Sequence, residues 1–218
     1  MRKKRKIDFM YFDLGCVIVP VKKEAVVKGL TPYSELDFED LDTIFKYGYT
    51  GKYRDFWDIV TAFDRGEFST REFYRRISIE LKLDIEFERF VEIWQRIMGL
   101  DSRFTILLRR LRENGVRTGI ISDLCSINHD RFWEMVSREF FDITFFSYQE
   151  RCTKSDEGGV IFDRAIRAAN LPAERIGFID DRAKNILAAY NKGLWTFWYR
   201  NEEMFKCFRK NLRNLGAL

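Results

Sequence analysis

The amino-acid sequence predicts an α/β domain: a mostly parallel sheet with helices on both faces, and an all-helical insertion immediately after the first strand. Three observations lead there. From about Ser102 onward, short apolar strand candidates alternate with stretches long enough for a helix, the pattern of a parallel sheet with right-handed crossovers. Those stretches repeat their apolar residues at helical spacing. The region between the first strand and Ser102 has the helical period too, but no convincing strand. The expected organisation is therefore 1–20 as the start of the core, 21–100 as a helical cap, and 101–218 as the rest of the core.

Ile7 to Phe12 is a β-rich apolar run closed by Asp13, followed by Leu14-Gly15-Cys16-Val17-Ile18-Val19 and Pro20, so it reads as strand, tight loop and second short apolar piece. In the insertion, Ser69-Thr70 before Arg71-Glu72-Phe73 marks a helix start after a turn at Gly66. Phe87, Phe90, Val91, Trp94 and Met98 then recur on one helical face. In the second half, Phe104, Leu107, Leu108 and Leu111 mark one helix, and Ile161, Phe162, Ala165, Ile166 and Ala169 another. Strands are expected at Thr118–Ser122, Ile143–Ser147, Ile176–Asp180 and Trp195–Tyr199. The aromatic tail, including Trp198, Phe205 and Phe208, reads as an edge strand and a docked helix, with a homodimer contact as the sharper alternative.

A chain of 218 residues with 46% hydrophobic content can bury a core. Its formal charge of +4 is too small to point to a nucleic-acid partner. The basic run from Met1 to Lys6 is read as a solvated end, against a nucleic-acid arm or a nuclear-targeting signal. No apolar stretch of about 18 residues follows it, which argues against a membrane span or signal peptide and for a soluble cytoplasmic protein. Cys16, Cys125, Cys152 and Cys207 form no C-x-x-C pair, and with His129 the only histidine a structural zinc site is not expected. So few cysteines suit a reducing compartment.

In an open parallel sheet, ligands sit beyond the carboxyl ends of the strands, and here those ends are polar. They carry Asp13, Ser122-Asp123 and Asp180-Asp181, and Lys154 lies in the loop after another. A carboxylate such as Asp13, directly after an apolar run, needs a cation or hydrogen-bond donors nearby. Gathered carboxylates with backbone carbonyls are the hard oxygen ligands that Mg2+ prefers, Ser122 offers a hydroxyl, and Lys154 a compact positive charge. The plainer readings are structural: Asp13, Ser122, Asp123 and the Asp180-Asp181 pair as caps of following helices, Lys154 as a surface lysine, His129 as a packing residue.

Phe-Asp-Leu-Gly-Cys-Val-Ile-Val, Gly-Ile-Ile-Ser-Asp, Thr-Lys with Val-Ile-Phe-Asp-Arg-Ala, and Gly-Phe-Ile-Asp-Asp-Arg-Ala-Lys-Asn-Ile-Leu-Ala-Ala occur in that order. They resemble the four motifs of the haloacid-dehalogenase-like (HAD-like) hydrolases, in the Asp-Leu-Gly branch similar to sugar-phosphate phosphatases. The stretch Phe63-Asp64-Arg65-Gly66-Glu67-Phe68-Ser69 is similar to its equivalent in the helical cap of that branch. The resemblance implies a Rossmannoid core, Asp13 as nucleophile, and Mg2+ held by Asp13, the Gly15 carbonyl, Asp180 and Asp181. It implies phosphate binding by Ser122, Asp123 and Lys154, and a small phosphorylated substrate covered by the cap. Arg54, Trp57 and Trp94 are candidates for the cap's pocket wall.

Two departures stand out. Where most phosphatases of the family have a second Asp, two residues after the nucleophile, this chain has Gly15, and general acid–base help is typically worth about 10²- to 10⁴-fold. Asp123, a cap residue, or a substrate with a good leaving group could make up for it. The lysine is followed by Ser155-Asp156-Glu157-Gly158-Gly159, where the family commonly has Lys-Pro and a shorter approach to the next helix. The competing functions are a catalytically weakened module that binds proteins, and a haloacid dehalogenase, which also lacks the second Asp and attacks carbon.

Overall fold

The structure is a computed structural model that describes residues 6–47, 53–99, 101–200 and 202–218. Five of the six residues of the basic amino-terminal run lie outside them, as does Leu100 at the expected domain boundary.

Five strands, β1 (Phe9–Phe12), β2 (Arg117–Ser122), β3 (Ile143–Phe146), β4 (Ile176–Asp180) and β5 (Trp195–Trp198), form one sheet in the order β3-β2-β1-β4-β5. Every pairing is parallel. Parallel neighbours need crossovers, and helices supply them. Ser102–Glu113 (α6) precedes β2, and Ser126–Met135 (α7) lies between β2 and β3. The short Ser147–Glu150 (α8) and Val160–Ala169 (α9) connect β3 to β4, Ala183–Asn191 (α10) connects β4 to β5, and Glu202–Asn214 (α11) follows β5.

Alternation along β1 explains the two-sided burial. Met10 and Phe12 join a core with Phe104, Leu107, Leu108 and Leu111 of α6 and Phe205, Phe208 and Leu212 of α11. Phe9 and Tyr11 face the opposite core, with Ile161, Phe162, Ala165 and Ala169 of α9. Each fully buried Leu or Phe contributes about 1.5–3 kcal/mol, so the predicted apolar faces of α6 and α9 set which way these helices dock.

Between β1 and α6 lie Lys23–Leu30 (α1), Phe38–Tyr47 (α2), Arg54–Asp64 (α3), Thr70–Glu80 (α4) and Phe87–Gln95 (α5). They have their own core, in which Phe63 stacks on Phe73 at 4.1 Å between centroids and Phe73 meets Trp94 edge-on at 4.9 Å. Ser69 caps α4 by accepting the Glu72 N–H, as its sequence position predicts. The chain enters and leaves this helical segment side by side: Val21 bridges Met98, Lys22 N–H donates to Ile97 O at 2.7 Å, and Gly99 N–H to Pro20 O at 3.0 Å. The segment rests on α7 of the core through α5, where Gln95 Nε2 donates to Ile127 O at 3.0 Å, and through the start of α4, where Thr70 Oγ1 lies 3.1 Å from Ser126 Oγ.

Several boundaries differ from those expected. The first strand begins at Phe9, and the Lys6 N–H ahead of it is taken by Leu215 O near the carboxyl terminus. Ser147 belongs to α8 and not to β3, and its hydroxyl accepts the Leu124 N–H at 3.0 Å. Helix α5 stops at Gln95, so Met98 leaves the helical face and pairs with Val21. Strand β5 is an edge, with Trp195 and Trp198 exposed and α11 docked behind it. Among the described residues no helix is long and apolar enough to cross a membrane.

Candidate active site

The carboxyl ends of β1, β2 and β4 converge where strand order reverses around β1. Asp13 follows β1, and its backbone N–H is fixed by Ile179 O of β4 at 2.9 Å. The chain then turns sharply: Val17 and Val19 N–H both donate to Leu14 O, and Cys16 takes a φ of 58°. This turn leaves Leu14 N–H on Asp13 Oδ1 at 2.7 Å. Asp13 Oδ2 accepts no hydrogen bond from the described residues.

Lys154 reaches the same point, although its loop is longer than the resemblance leads one to expect. Asp156 folds the loop by accepting the Thr153 N–H at 2.7 Å and its hydroxyl at 2.8 Å, and Asp123 Oδ1 accepts the Lys154 N–H at 2.9 Å. The ammonium, on a residue only 1% exposed, lies 2.6 Å from Asp13 Oδ1 and 2.6 Å from Asp180 Oδ2. Burial alone would neutralise a lysine, but Asp13, Asp180 and Asp123 together outweigh it and hold the ammonium above its usual range. With one cation facing two buried carboxylates, burial pushes Asp13 up to about 7, Lys154 opposing and Asp180 reinforcing.

These groups form the floor of a cavity of about 390 Å³. Gly15, Ser122, Asp123 and Asp181 line it with Asp13 and Lys154. Ser122 is buried, and its hydroxyl makes no hydrogen bond to the described residues. The helical segment supplies an apolar roof that includes Trp57, Val60, Phe63, Phe73 and Trp94. Arg54 is not part of it: it starts α3 on the outer surface, exposed beside Asp58.

No protein-family model matches the sequence. Solved structures do match its shape. A HAD-family enzyme from Bacteroides thetaiotaomicron, solved with magnesium and inorganic phosphate, superposes with a TM-score of 0.75, covering 93% of this chain and 100% of its own, at 19% identity. This is the haloacid-dehalogenase-like fold. A predicted HAD-like family hydrolase from Porphyromonas gingivalis gives a TM-score of 0.76 over 95% of this chain and 98% of its own, at 19% identity. The L-2-haloacid dehalogenase from Xanthobacter autotrophicus gives 0.64 over 94% and 83%, at 10% identity.

Within the HAD-like fold the acidic groups here suit a hard divalent cation. Asp13, Asp180 and Asp181 each offer an oxygen, all within 4.8 Å of one another. Three carboxylates and one ammonium leave a net charge of about −2 to be balanced. Asp180 is fully buried beneath the cavity, with Oδ1 accepting Arg182 N–H at 2.7 Å and both oxygens accepting Asn185 Nδ2 at 3.1 Å. Asn185 Oδ1 is buried with no partner among the described residues, an acceptor that a hydrated cation would satisfy. Asp181 is only partly buried and is raised by burial and the neighbouring Asp180. Asp13, Asp180 and Asp181 are thus the residues that would hold Mg2+, and Gly15, whose carbonyl the resemblance adds to them, lines the same cavity.

Four cavity residues carry signals that sequence reasoning did not use. Lys23, at the start of α1, donates to Phe45 O at 3.0 Å and lies 4.9 Å from the centre of the Trp57 ring. Arg182 and Asn185 lie inside the fourth motif, where only the acidic pair was assigned a role. Asp64, the last residue of α3, lies within the recognised Phe63–Ser69 stretch but faces the cavity from above. His129 is a packing residue, accepting Trp133 Nε1–H at 3.1 Å and meeting the Phe146 ring edge-on.

Proposed function

We propose that the protein is a Mg2+-dependent phosphohydrolase that cleaves a small phosphorylated metabolite through an aspartyl-phosphate intermediate. One observation carries this reading: Asp13 is buried against Lys154 through Oδ1, while Oδ2 accepts no hydrogen bond from the described residues, on the floor of a cavity that Asp123 and Asp181 also line. Its Oδ1 contacts fix the carboxylate and Oδ2 attacks phosphorus, the bond from phosphorus to the ester oxygen breaks, and the alcohol departs. Water then cleaves the acyl phosphate, releasing inorganic phosphate and restoring Asp13. The Ser122 hydroxyl donates to a phosphoryl oxygen, and Lys154 offsets its charge. Mg2+, held by the acidic cluster, would neutralise phosphate charge and orient it. The helical segment acts as the cap that excludes water and selects the substrate. The magnesium and phosphate bound to the similar B. thetaiotaomicron enzyme support this assignment.

The test is turnover of a panel of sugar phosphates, nucleotides and 4-nitrophenyl phosphate by purified protein, with Mg2+ and with chelator, beside Asp13→Asn. Metal-dependent turnover that disappears in the variant is expected; equal turnover by the variant would sink the reading. A second reading rests on Gly15 and the dehalogenase-like shape: Asp13 attacking carbon and expelling halide. Metal-independent halide release from 2-haloacids would select it. Folded protein silent in both assays would favour a protein-binding module.

A further inference from the structure

The phosphohydrolase reading leaves a proton without a carrier. Gly15 has no side chain to protonate the departing alcohol, and Asp123, the nearest alternative in sequence, uses Oδ1 to hold the backbone of Lys154. The cavity contains one more carboxyl, and it comes from the cap. Asp64 ends α3 and lines the cavity with Asp13 and Lys154, and its carboxyl makes no hydrogen bond or ion pair with the described residues.

Its position is tied to the catalytic loop and not only to the cap. Arg65, the next residue, makes a two-pronged ion pair with Asp156, Nε at 3.2 and 3.1 Å and Nη2 at 2.5 Å. Asp156 is the same carboxylate that folds the Thr153–Lys154 turn. Gly66, at a φ of 67°, lies directly against the Tyr148 carbonyl, and its own carbonyl accepts from Arg151. One loop therefore sets Lys154 on the cavity floor and Asp64 in its roof. Such an arrangement fixes the distance between nucleophile side and roof far better than a mobile cap tip would.

We propose that Asp64 is the general acid–base of this site, supplied by the cap in place of the missing carboxylate at Gly15. This rests on the phosphohydrolase reading. As Asp13 Oδ2 bonds to phosphorus, the Asp64 carboxyl gives its proton to the ester oxygen, so the leaving group departs as a neutral alcohol. The Asp64 carboxylate then takes a proton from the water whose oxygen attacks the aspartyl-phosphate, and phosphate leaves with Asp13 restored. Ester and water become alcohol and phosphate, and Asp64 ends protonated as it began. Its surroundings suit both roles. Burial and the Asp123 carboxylate push it up to about 7, while Arg182 and Lys154 oppose them. The Cys125 thiol, itself pushed up to about 12 by burial, also faces Asp64, and Lys23 of α1 lines the same cavity.

The experiment compares wild type and Asp64→Asn on 4-nitrophenyl phosphate, whose leaving group needs no proton, and on the best alkyl phosphate of the panel. Pre-steady-state nitrophenolate release and steady-state turnover are both followed against pH. The alkyl ester is expected to slow by about 10²- to 10⁴-fold in the variant. Nitrophenyl phosphate should give a near-stoichiometric burst at close to the wild-type rate and then slow turnover, because the aspartyl-phosphate accumulates. Wild-type alkyl turnover should fall as pH rises above about 7, a limb absent in the variant. Loss of the burst together with slow turnover on both esters, in protein that melts no lower than wild type, would overturn the proposal, as would unchanged alkyl turnover. No turnover of any ester by wild type would instead remove the phosphohydrolase reading beneath it.

Discussion

Replacing Lys154 with Met keeps most of the side-chain volume and removes the ammonium that lies 2.6 Å from both Asp13 and Asp180. Two carboxylates, on residues 5% and 0% exposed, would then face each other with Asn185 and backbone N–H groups as their remaining donors. Breaking a buried ion pair from one side costs about 3–5 kcal/mol. For a chain of this length each kcal/mol moves the melting temperature by roughly 2–4 °C, so a fall of roughly 6–20 °C is expected at pH 8 in chelator. The pH dependence has a definite sign. Asp13 in the fold is already raised to about 7, and losing the ammonium raises it further. A carboxyl raised above its unfolded value near 4 adds stability below that value and loses it as pH climbs through the folded one. The gap between Lys154→Met and wild type must therefore narrow from pH 8 to pH 5. Mg2+ should also stabilise the variant more than the wild type, since it supplies the missing positive charge. Calorimetric melting at three pH values, with and without Mg2+, tests all of this. A shift under about 2 °C at pH 8, or a gap that widens on acidification, would refute the electrostatic account of the site.

Other changes should separate the parts of the site. Asn185→Ala removes the donor shared by both Asp180 oxygens and should weaken Mg2+ binding by roughly 10- to 100-fold, read by calorimetric titration, with little change in melting temperature in chelator. Asp64→Asn should raise the melting temperature at pH 8 more than at pH 5, because a carboxyl lifted to about 7 loses its stabilising contribution as pH rises through that value; an equal shift at both would contradict its placement. Gly66→Ala puts a methyl group against the Tyr148 carbonyl at a φ of 67°, so about 2–4 kcal/mol of destabilisation is expected in denaturant unfolding.

Much of the core is legible along the chain because a buried parallel strand is a short apolar run, and its end is marked where polarity returns. Asp13, Ser122 and Asp180 are found that way, and each does sit at a carboxyl end of the sheet. The helices that flank the sheet are readable from their apolar faces, and α6 and α9 dock by the residues their spacing singles out. Boundaries are less readable, because they depend on partners distant in sequence. Met98 leaves its helical face only because Val21 offers a bridge, and Lys6 is claimed by Leu215.

The site divides along the same line. Local pattern alone determines which carboxylates end strands, since burial of the preceding run and the return of polar residues are properties of adjacent positions. Whether Lys154 reaches them depends on Asp156 and Asp123 folding its loop, and Asp123 stands 31 positions away from Lys154 in the chain. Arg54 looks as eligible for the pocket as Trp57 in sequence, yet it starts α3 on the exposed side while Trp57 faces inward. Asp64 lies in the recognised Phe63–Ser69 stretch, but nothing in that stretch assigns its carboxyl to the cavity. Its carboxyl enters the cavity because Arg65 binds Asp156, 91 positions on, and Gly66 lies against Tyr148. Periodicity records which face of a segment avoids water, but it carries no information about which distant charge that face will meet, and only the packed chain brings roof and floor together.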